Sequence, residues 1–89
     1  MAYHFFAGGE GDAVPVAHLA NWAAGEWRRG LRACGIETEP VFVELDGAVS
    51  AWFTPGLCRR IAESAAPMHD ELRAVFRAGA DDPRGVEMF

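Results

Sequence analysis

Hydrophobic residues flank an Asp-Gly pair in the middle of the chain, in the run Val-Phe-Val-Glu-Leu-Asp-Gly-Ala-Val-Ser-Ala-Trp-Phe at residues 41–53. Asp-Gly between two β-prone runs is the strongest short-range signal for a β-hairpin. Side chains alternate between the two faces of a strand, so the hairpin buries one set of these residues and exposes the other. The pattern therefore predicts two antiparallel strands with more aromatic surface than one buried face needs.

The length of the hairpin loop decides which aromatic residues share a face. A two-residue loop pairs Leu45 with Ala48 and places Trp52 on the same face as the valines of the first strand. A three-residue loop shifts the alternation and places Trp52 beside Phe42. We favour the three-residue loop because it also buries Phe53 with those valines. Phe42 and Trp52 then form the predicted interaction surface.

A helix is predicted from Pro15 to about Cys34, where apolar residues recur at the three- and four-residue steps of one helical face. Proline suits the first turn, and Gly35 suits the C-terminal stop. Trp27 lies within the apolar stripe and is predicted to be a core residue. Trp22 lies at its border, where it either packs in the core or is half-exposed and extends the interaction surface. The stripe consists of Val16, Leu19, Ala20, Ala23, Trp27, Leu31 and Cys34.

A second helix is predicted to begin after the hairpin, with Thr54 as N-cap and Pro55 in the first turn. Pro67 interrupts its apolar stripe, so we expect a kink or a restart at that point. The aromatic run at residues 2–6 is typical of a strand. Residues 85–89 form either a last short strand or a frayed tail.

These elements give the order βαββα(β) in a single α+β domain spanning residues 1–89. This order predicts a small sandwich with an antiparallel sheet and two helices on one face, ferredoxin-like if the last strand forms. The second face of the sheet is then open. The same order occurs in RNA-binding RRM domains, but residues 47–53 lack the leading Arg or Lys and the aromatic spacing of their signature. Direct nucleic-acid binding is therefore disfavoured.

Charge and composition narrow the function further. The net charge is −5, and all eight cations are arginine, which with 16 alanines is typical of a GC-rich bacterial or phage genome. A phosphate-tracking surface would need a basic patch instead. The acidic segment between Arg32 and Arg59 is either a solvated edge that resists aggregation or a mimic of a phosphate backbone. Its four acids are Glu37, Glu39, Glu44 and Asp46.

No motif for catalysis, a metal or a cofactor stands out. Cys34 and Cys58 form no CxxC pair, and no histidine lies at a zinc-ligand spacing, so we predict reduced, cytoplasmic thiols that serve as small core residues. GxGxxG, the Walker-A lysine and a nucleophile elbow are also missing. The N-terminal segment does not resemble a signal peptide, and no apolar run is long enough to span a membrane.

We therefore predict a small, acidic, non-catalytic module that binds a protein partner or a second copy of itself, as an inhibitor or adaptor. Size, charge and the missing motifs are typical of phage-type inhibitors of host nucleic-acid machinery, such as anti-CRISPR proteins. The alternative is a small-molecule-binding protein or cofactor-independent enzyme on a dimeric α+β barrel. In that case Tyr3, His4 and Trp52 line the pocket, with His4 as general acid or base.

Overall fold

The structure, a computed structural model, describes residues 2–8, 16–38, 42–45 and 48–89; for residues 2, 21, 42–45, 48 and 49 only the backbone is described. It is an α+β fold with one antiparallel five-stranded sheet in the order β2-β1-β5-β4-β3. The elements are β1 (Ala2–Ala7), β2 (Val16–Ala20), α1 (Asn21–Ala33), β3 (Phe42–Leu45), β4 (Ala48–Phe53), α2 (Pro55–Glu63), α3 (Asp70–Ala80) and β5 (Val86–Met88).

The first predicted helix is wrong in its N-terminal part, because residues 16–20 form the edge strand β2. β2 pairs with β1 in an antiparallel register that places Phe5 opposite Ala17. Within β2, Ala17 is buried while Val16 and His18 are exposed, which is the two-residue period of a strand. Pairing with β1 satisfies the backbone groups that face β1 and overrides a spacing that also fits a helix.

The preferred hairpin loop is also wrong. Leu45 pairs with Ala48, so two residues separate β3 from β4, and Phe42 pairs with Ala51. Positions 42 and 52 therefore lie on opposite faces of the sheet, and the predicted Phe42 and Trp52 pair is not formed. The alternation of β4 is set by its other neighbour, since pairing with β5 aligns the buried Ala51 with Met88.

The break at Pro67 is confirmed, and it separates two helices instead of kinking one. Thr54 caps α2 as predicted, accepting a hydrogen bond from the backbone N–H of Leu57 at 3.3 Å. His69 caps α3 by accepting the backbone N–H of Leu72 on its Nδ1 atom at 3.1 Å. The described part of the chain thus contains three helices where two were expected.

The last strand forms and takes a central position in the sheet, between β1 and β4. Val86 and Met88 are buried, so this short apolar strand joins the two halves of the sheet. The chain has one strand, β2, and one helix, α3, beyond the predicted elements, and β5 lies at the centre of the sheet. The ferredoxin-like order is therefore not observed.

One sheet face carries the hydrophobic core. Buried side chains of all three helices join this face in a single cluster. Trp27 is 4% exposed, which confirms its predicted core position, and its ring stacks on Phe76 with centroids 5.8 Å apart. Cys58 is buried as predicted, whereas Cys34 is exposed just beyond α1, so its predicted core position is wrong. The sheet residues of the cluster are Phe5, Ala7, Ala17, Ala51, Phe53, Val86 and Met88.

Candidate interaction face of the sheet

The sheet residues that alternate with the core positions form a second surface, which we call the open face. Its large apolar side chains are half-exposed: 51% for Trp52, 46% for Phe89 and 40% for Val16. Phe89 lies opposite His4, because the two residues exchange both backbone hydrogen bonds at 2.9 Å. Among the residues whose side chains the structure describes, the open face carries Val16, His18, His4, Phe6, Glu87, Phe89, Ser50 and Trp52.

Trp52 is the largest exposed side chain of the open face, and its ring is held in place. Its indole N–H donates a hydrogen bond to the backbone carbonyl of Arg84 at 2.6 Å. Arg84 is held in turn by Asp82, whose Oδ1 atom accepts the Arg84 backbone N–H at 2.8 Å. This bond, together with those from the Arg84 guanidinium, lowers the pKa of the Asp82 carboxyl group. The loop before β5 therefore presents Trp52 as a positioned aromatic surface.

A row of side chains crosses four strands of the open face. Phe6 lies opposite Val16 on one side and Glu87 on the other, and Glu87 lies opposite Trp52. Phe6 also makes an edge-to-face contact with Phe89, with ring centroids 5.8 Å apart. The row is therefore apolar except for one partly exposed carboxylate.

Two histidines stand next to this row. His4 on β1 lies directly opposite His18 on β2. Their imidazole centroids are 4.5 Å apart with the ring planes at 88°. Both side chains are exposed to solvent.

The structure separates the residues of the alternative pocket. His4 and Trp52 both lie on the open face. Tyr3 packs partly buried against the core cluster, so it does not line a pocket with them. The three-residue pocket predicted from the sequence is therefore not assembled.

The remaining predicted site residues lie elsewhere. Trp22 is 82% exposed on α1, so the core alternative for this residue is wrong and its predicted place in an interaction surface stays open. Glu37 is exposed and pairs with Arg32, with the Nε to Oε2 distance at 3.6 Å. Three of the acids and one aromatic have side chains outside the described residues, and phosphate mimicry stays a prediction. These are Glu39, Glu44, Asp46 and Phe42.

Sequence reasoning missed most of the open face. The helix predicted from Pro15 to about Cys34 covers position 18, so the sequence does not predict His18 on a sheet face. Glu87 and Phe89 belong to residues 85–89, for which the sequence predicts either a short strand or a tail. The alternation of Glu87 between the apolar Val86 and Met88 was the available signal, and it fits a strand buried on one face.

Metal binding and cysteine chemistry each need a particular arrangement of side chains. The described residues contain no group of three or more His, Cys, Asp or Glu side chains placed to hold a metal ion. Burial raises the pKa of the Cys58 thiol to about 12, so this cysteine is not a nucleophile near neutral pH.

A cleft of about 250 Å³ lies between α1 and the α2–α3 link, with Trp27, Met68 and His69 among its lining residues.

No helix in the described segments has the length and hydrophobicity to cross a membrane. No protein-family model, curated protein or solved structure matches this chain. The function is therefore inferred from the geometry of the open face.

Proposed function

We propose that this protein is a non-catalytic binding module that docks a protein partner on the open face and acts as an adaptor or inhibitor. One observation carries the proposal. Trp52 is half-exposed, yet its ring is fixed by the hydrogen bond to Arg84. A large aromatic ring that is both exposed and ordered is suited to act as an anchor for a partner.

The energetics of binding support this role for Trp52. Tryptophan is among the residues that contribute most to protein interfaces, because a large apolar area leaves water on contact. Ordering a mobile side chain on binding costs about 0.5–1.5 kcal/mol. The hydrogen bond to Arg84 reduces that cost by ordering the ring before the partner arrives.

The surroundings of Trp52 add to the apolar area. Val16 and Phe89 are the other large hydrophobic side chains exposed on the described part of this face. Several such residues on one face indicate an interaction site. The proposal requires the helices to cover only the opposite face, and the shared cluster of their buried side chains supports this.

Charge favours a basic partner over a second copy of the chain. Glu87 lies within the apolar row, opposite both Phe6 and Trp52. A partner with an apolar patch and one Arg or Lys complements this row. Two copies of this chain would each bring a net charge of −5 to the contact.

The test is site-specific photo-crosslinking in the cells from which the gene comes. Ser50 on the open face is replaced by a benzophenone amino acid, with Trp52 retained. The same replacement at the exposed Glu63 on α2 is the matched control. We expect a heteromeric adduct from position 50 that is weak or missing from position 63.

A second variant tests whether Trp52 carries the interaction. In the position-50 background, Trp52→Ala is expected to remove the adduct while the melting temperature falls by no more than roughly 10 °C, the effect of losing one hydrogen bond in a domain of this size. Equal adducts from both positions, or an adduct that survives Trp52→Ala, would overturn the proposal. An adduct of twice the chain mass would show that the open face binds a second copy of the chain instead. A much larger fall in melting temperature would show that Trp52 supports the fold.

A further inference from the structure

The two histidines of the open face form a close cross-strand pair. His4 directs its backbone N–H and carbonyl toward Phe89, with both hydrogen bonds at 2.9 Å. Relative to β2, His4 and His18 are therefore a non-hydrogen-bonded pair, the type in which opposite side chains lie closest. Their imidazole centroids are accordingly only 4.5 Å apart.

Among the residues that the structure describes, neither imidazole ring forms a hydrogen bond or an ion pair. Both side chains are exposed to solvent. Among the described residues, each ring makes its only aromatic contact with the other ring. The fold does use the backbone of His18, whose carbonyl oxygen lies 3.1 Å from Nε2 of His69. The strands are thus held by the backbone, while four ring nitrogens remain available to a ligand.

We propose that His4 and His18 bind a divalent transition-metal ion, each through one imidazole nitrogen. Imidazole is a preferred ligand of zinc, nickel and copper ions. With metal–nitrogen bonds of about 2.0–2.1 Å, two neighbouring ligand atoms lie roughly 3 Å apart. Because the ring centroids are only 4.5 Å apart, we expect side-chain rotation to bring one nitrogen of each ring to that separation.

The site is an open one. Two side chains supply only two ligands, which agrees with the lack of any three-residue metal cluster among the described residues. Water or a group from outside the chain fills the other positions, which point away from the sheet. The site is expected to bind copper more tightly than nickel or zinc. Magnesium is not expected to bind, because it prefers oxygen ligands. This site does not depend on the open face binding a protein.

The third histidine is a matched control within the same chain. His69 accepts the Leu72 backbone N–H on Nδ1 at 3.1 Å. Its Nε2 lies 3.1 Å from the carbonyl oxygen of His18. Both ring nitrogens are engaged, so His69 is not expected to bind the ion.

The experiment uses the full chain without an affinity tag, treated with a chelator and titrated with Zn²⁺, Ni²⁺, Cu²⁺ or Mg²⁺ by calorimetry. We expect one site per chain for the first three ions and none for Mg²⁺. In the NMR spectrum, Zn²⁺ is expected to shift the imidazole signals of His4 and His18 and to leave those of His69 in place. Binding weakens on acidification, because only neutral imidazole is a ligand.

Single-residue variants test whether His4 and His18 are the ligands of the metal ion. His4→Gln and His18→Gln are each expected to weaken binding at least about tenfold, since losing a ligand costs no less than losing its outer-shell support. The His69→Gln variant is expected to keep the parent affinity. At the same concentration, Zn²⁺ is expected to raise the melting temperature of the parent more than that of the His4→Gln variant. Unchanged affinity in either strand variant, or shifts at His69 alone in the parent spectrum, would overturn the proposal.

Discussion

Trp52 and Arg84 are separated by 32 residues, and a single hydrogen bond of 2.6 Å joins the indole N–H of one to the backbone carbonyl of the other. The carbonyl belongs to the loop that leads into β5, the central strand of the sheet. The largest exposed aromatic of the open face is therefore tied to the strand that joins its two halves. Disturbing that loop is expected to disturb Trp52 as well.

Trp52→Phe removes this hydrogen bond while keeping an aromatic ring. We expect a loss of roughly 0.5–1.5 kcal/mol in the free energy of unfolding, the usual net contribution of one hydrogen bond. Trp22→Phe is the control, because that indole is 82% exposed; its effect is expected within about 0.5 kcal/mol. Urea denaturation measures both, and equal effects would contradict the assigned bond.

Asp82 is expected to make the free energy of unfolding depend on pH. Hydrogen bonds from Arg84 lower the pKa of this carboxyl group in the folded chain, so its contribution is present above the ordinary value of about 4. The contribution is lost as the pH falls through the lowered pKa. The stability difference between the parent and Asp82→Asn is therefore expected to be constant from pH 7 to about 4 and to shrink below it.

The control for Asp82 is its neighbour Asp81, whose side chain is 84% exposed and pairs with Arg59 at 3.6 Å. Asp81→Asn is expected to change stability little, as for other surface ion pairs. Urea denaturation at pH 7, 5 and 3 compares the two variants. A difference for Asp82→Asn that grows toward pH 3 would contradict the sign given above.

Arg73 holds the link between α2 and α3. Its guanidinium donates to the carbonyl oxygens of Ala62, Ser64 and Ala66 at 2.7, 2.8 and 2.9 Å. Arg73→Met is expected to lower the free energy of unfolding by roughly 2–4 kcal/mol, because charged hydrogen bonds are lost. Arg77→Met, an exposed position one turn later, is expected to cost about 1 kcal/mol or less. Chemical denaturation separates the two, and equal losses would refute the role of Arg73.

Gly85 cannot carry a side chain. Its φ angle is +67°, and an added Cβ atom would overlap the carbonyl oxygen of Phe53. Gly85→Ala is expected to destabilise the fold by roughly 2–5 kcal/mol, from strain and overlap together. Gly56→Ala, where the space around α2 is open, is expected to be neutral or stabilising by about 0.4–1 kcal/mol. Thermal melting tests the pair, and a neutral Gly85→Ala would be inconsistent with this packing.

The two cysteines are expected to differ in reactivity. Cys34 is exposed, whereas Cys58 is buried with a pKa raised to about 12. A thiol-specific disulfide reagent at pH 8 should label Cys34 quickly and Cys58 only after unfolding, because the thiolate is the reacting form. Cys34→Ser should remove the fast phase. Two fast thiols in the native chain would show that Cys58 is accessible.

Local signals in the sequence determined several elements. Asp46 and Gly47 marked the hairpin, Thr54 with Pro55 marked the start of α2, and Pro67 marked the break before α3. Each signal acts through backbone geometry or a hydrogen bond within a few residues, so no knowledge of the rest of the chain is needed. The helical spacing of Trp27 likewise identified a core residue from neighbours on one helix face.

The open face was decided only by the tertiary structure. Whether Val16 and His18 lie in a helix or a strand depends on β1, which supplies the backbone partners of β2. The face on which Trp52 lies depends on β5, which aligns β4 from a distance of more than 30 residues. A shift of one residue in register moves every side chain to the other face, and distant strands set that register. The sequence therefore determined where elements begin and end, and the sheet determined which side chains they present together.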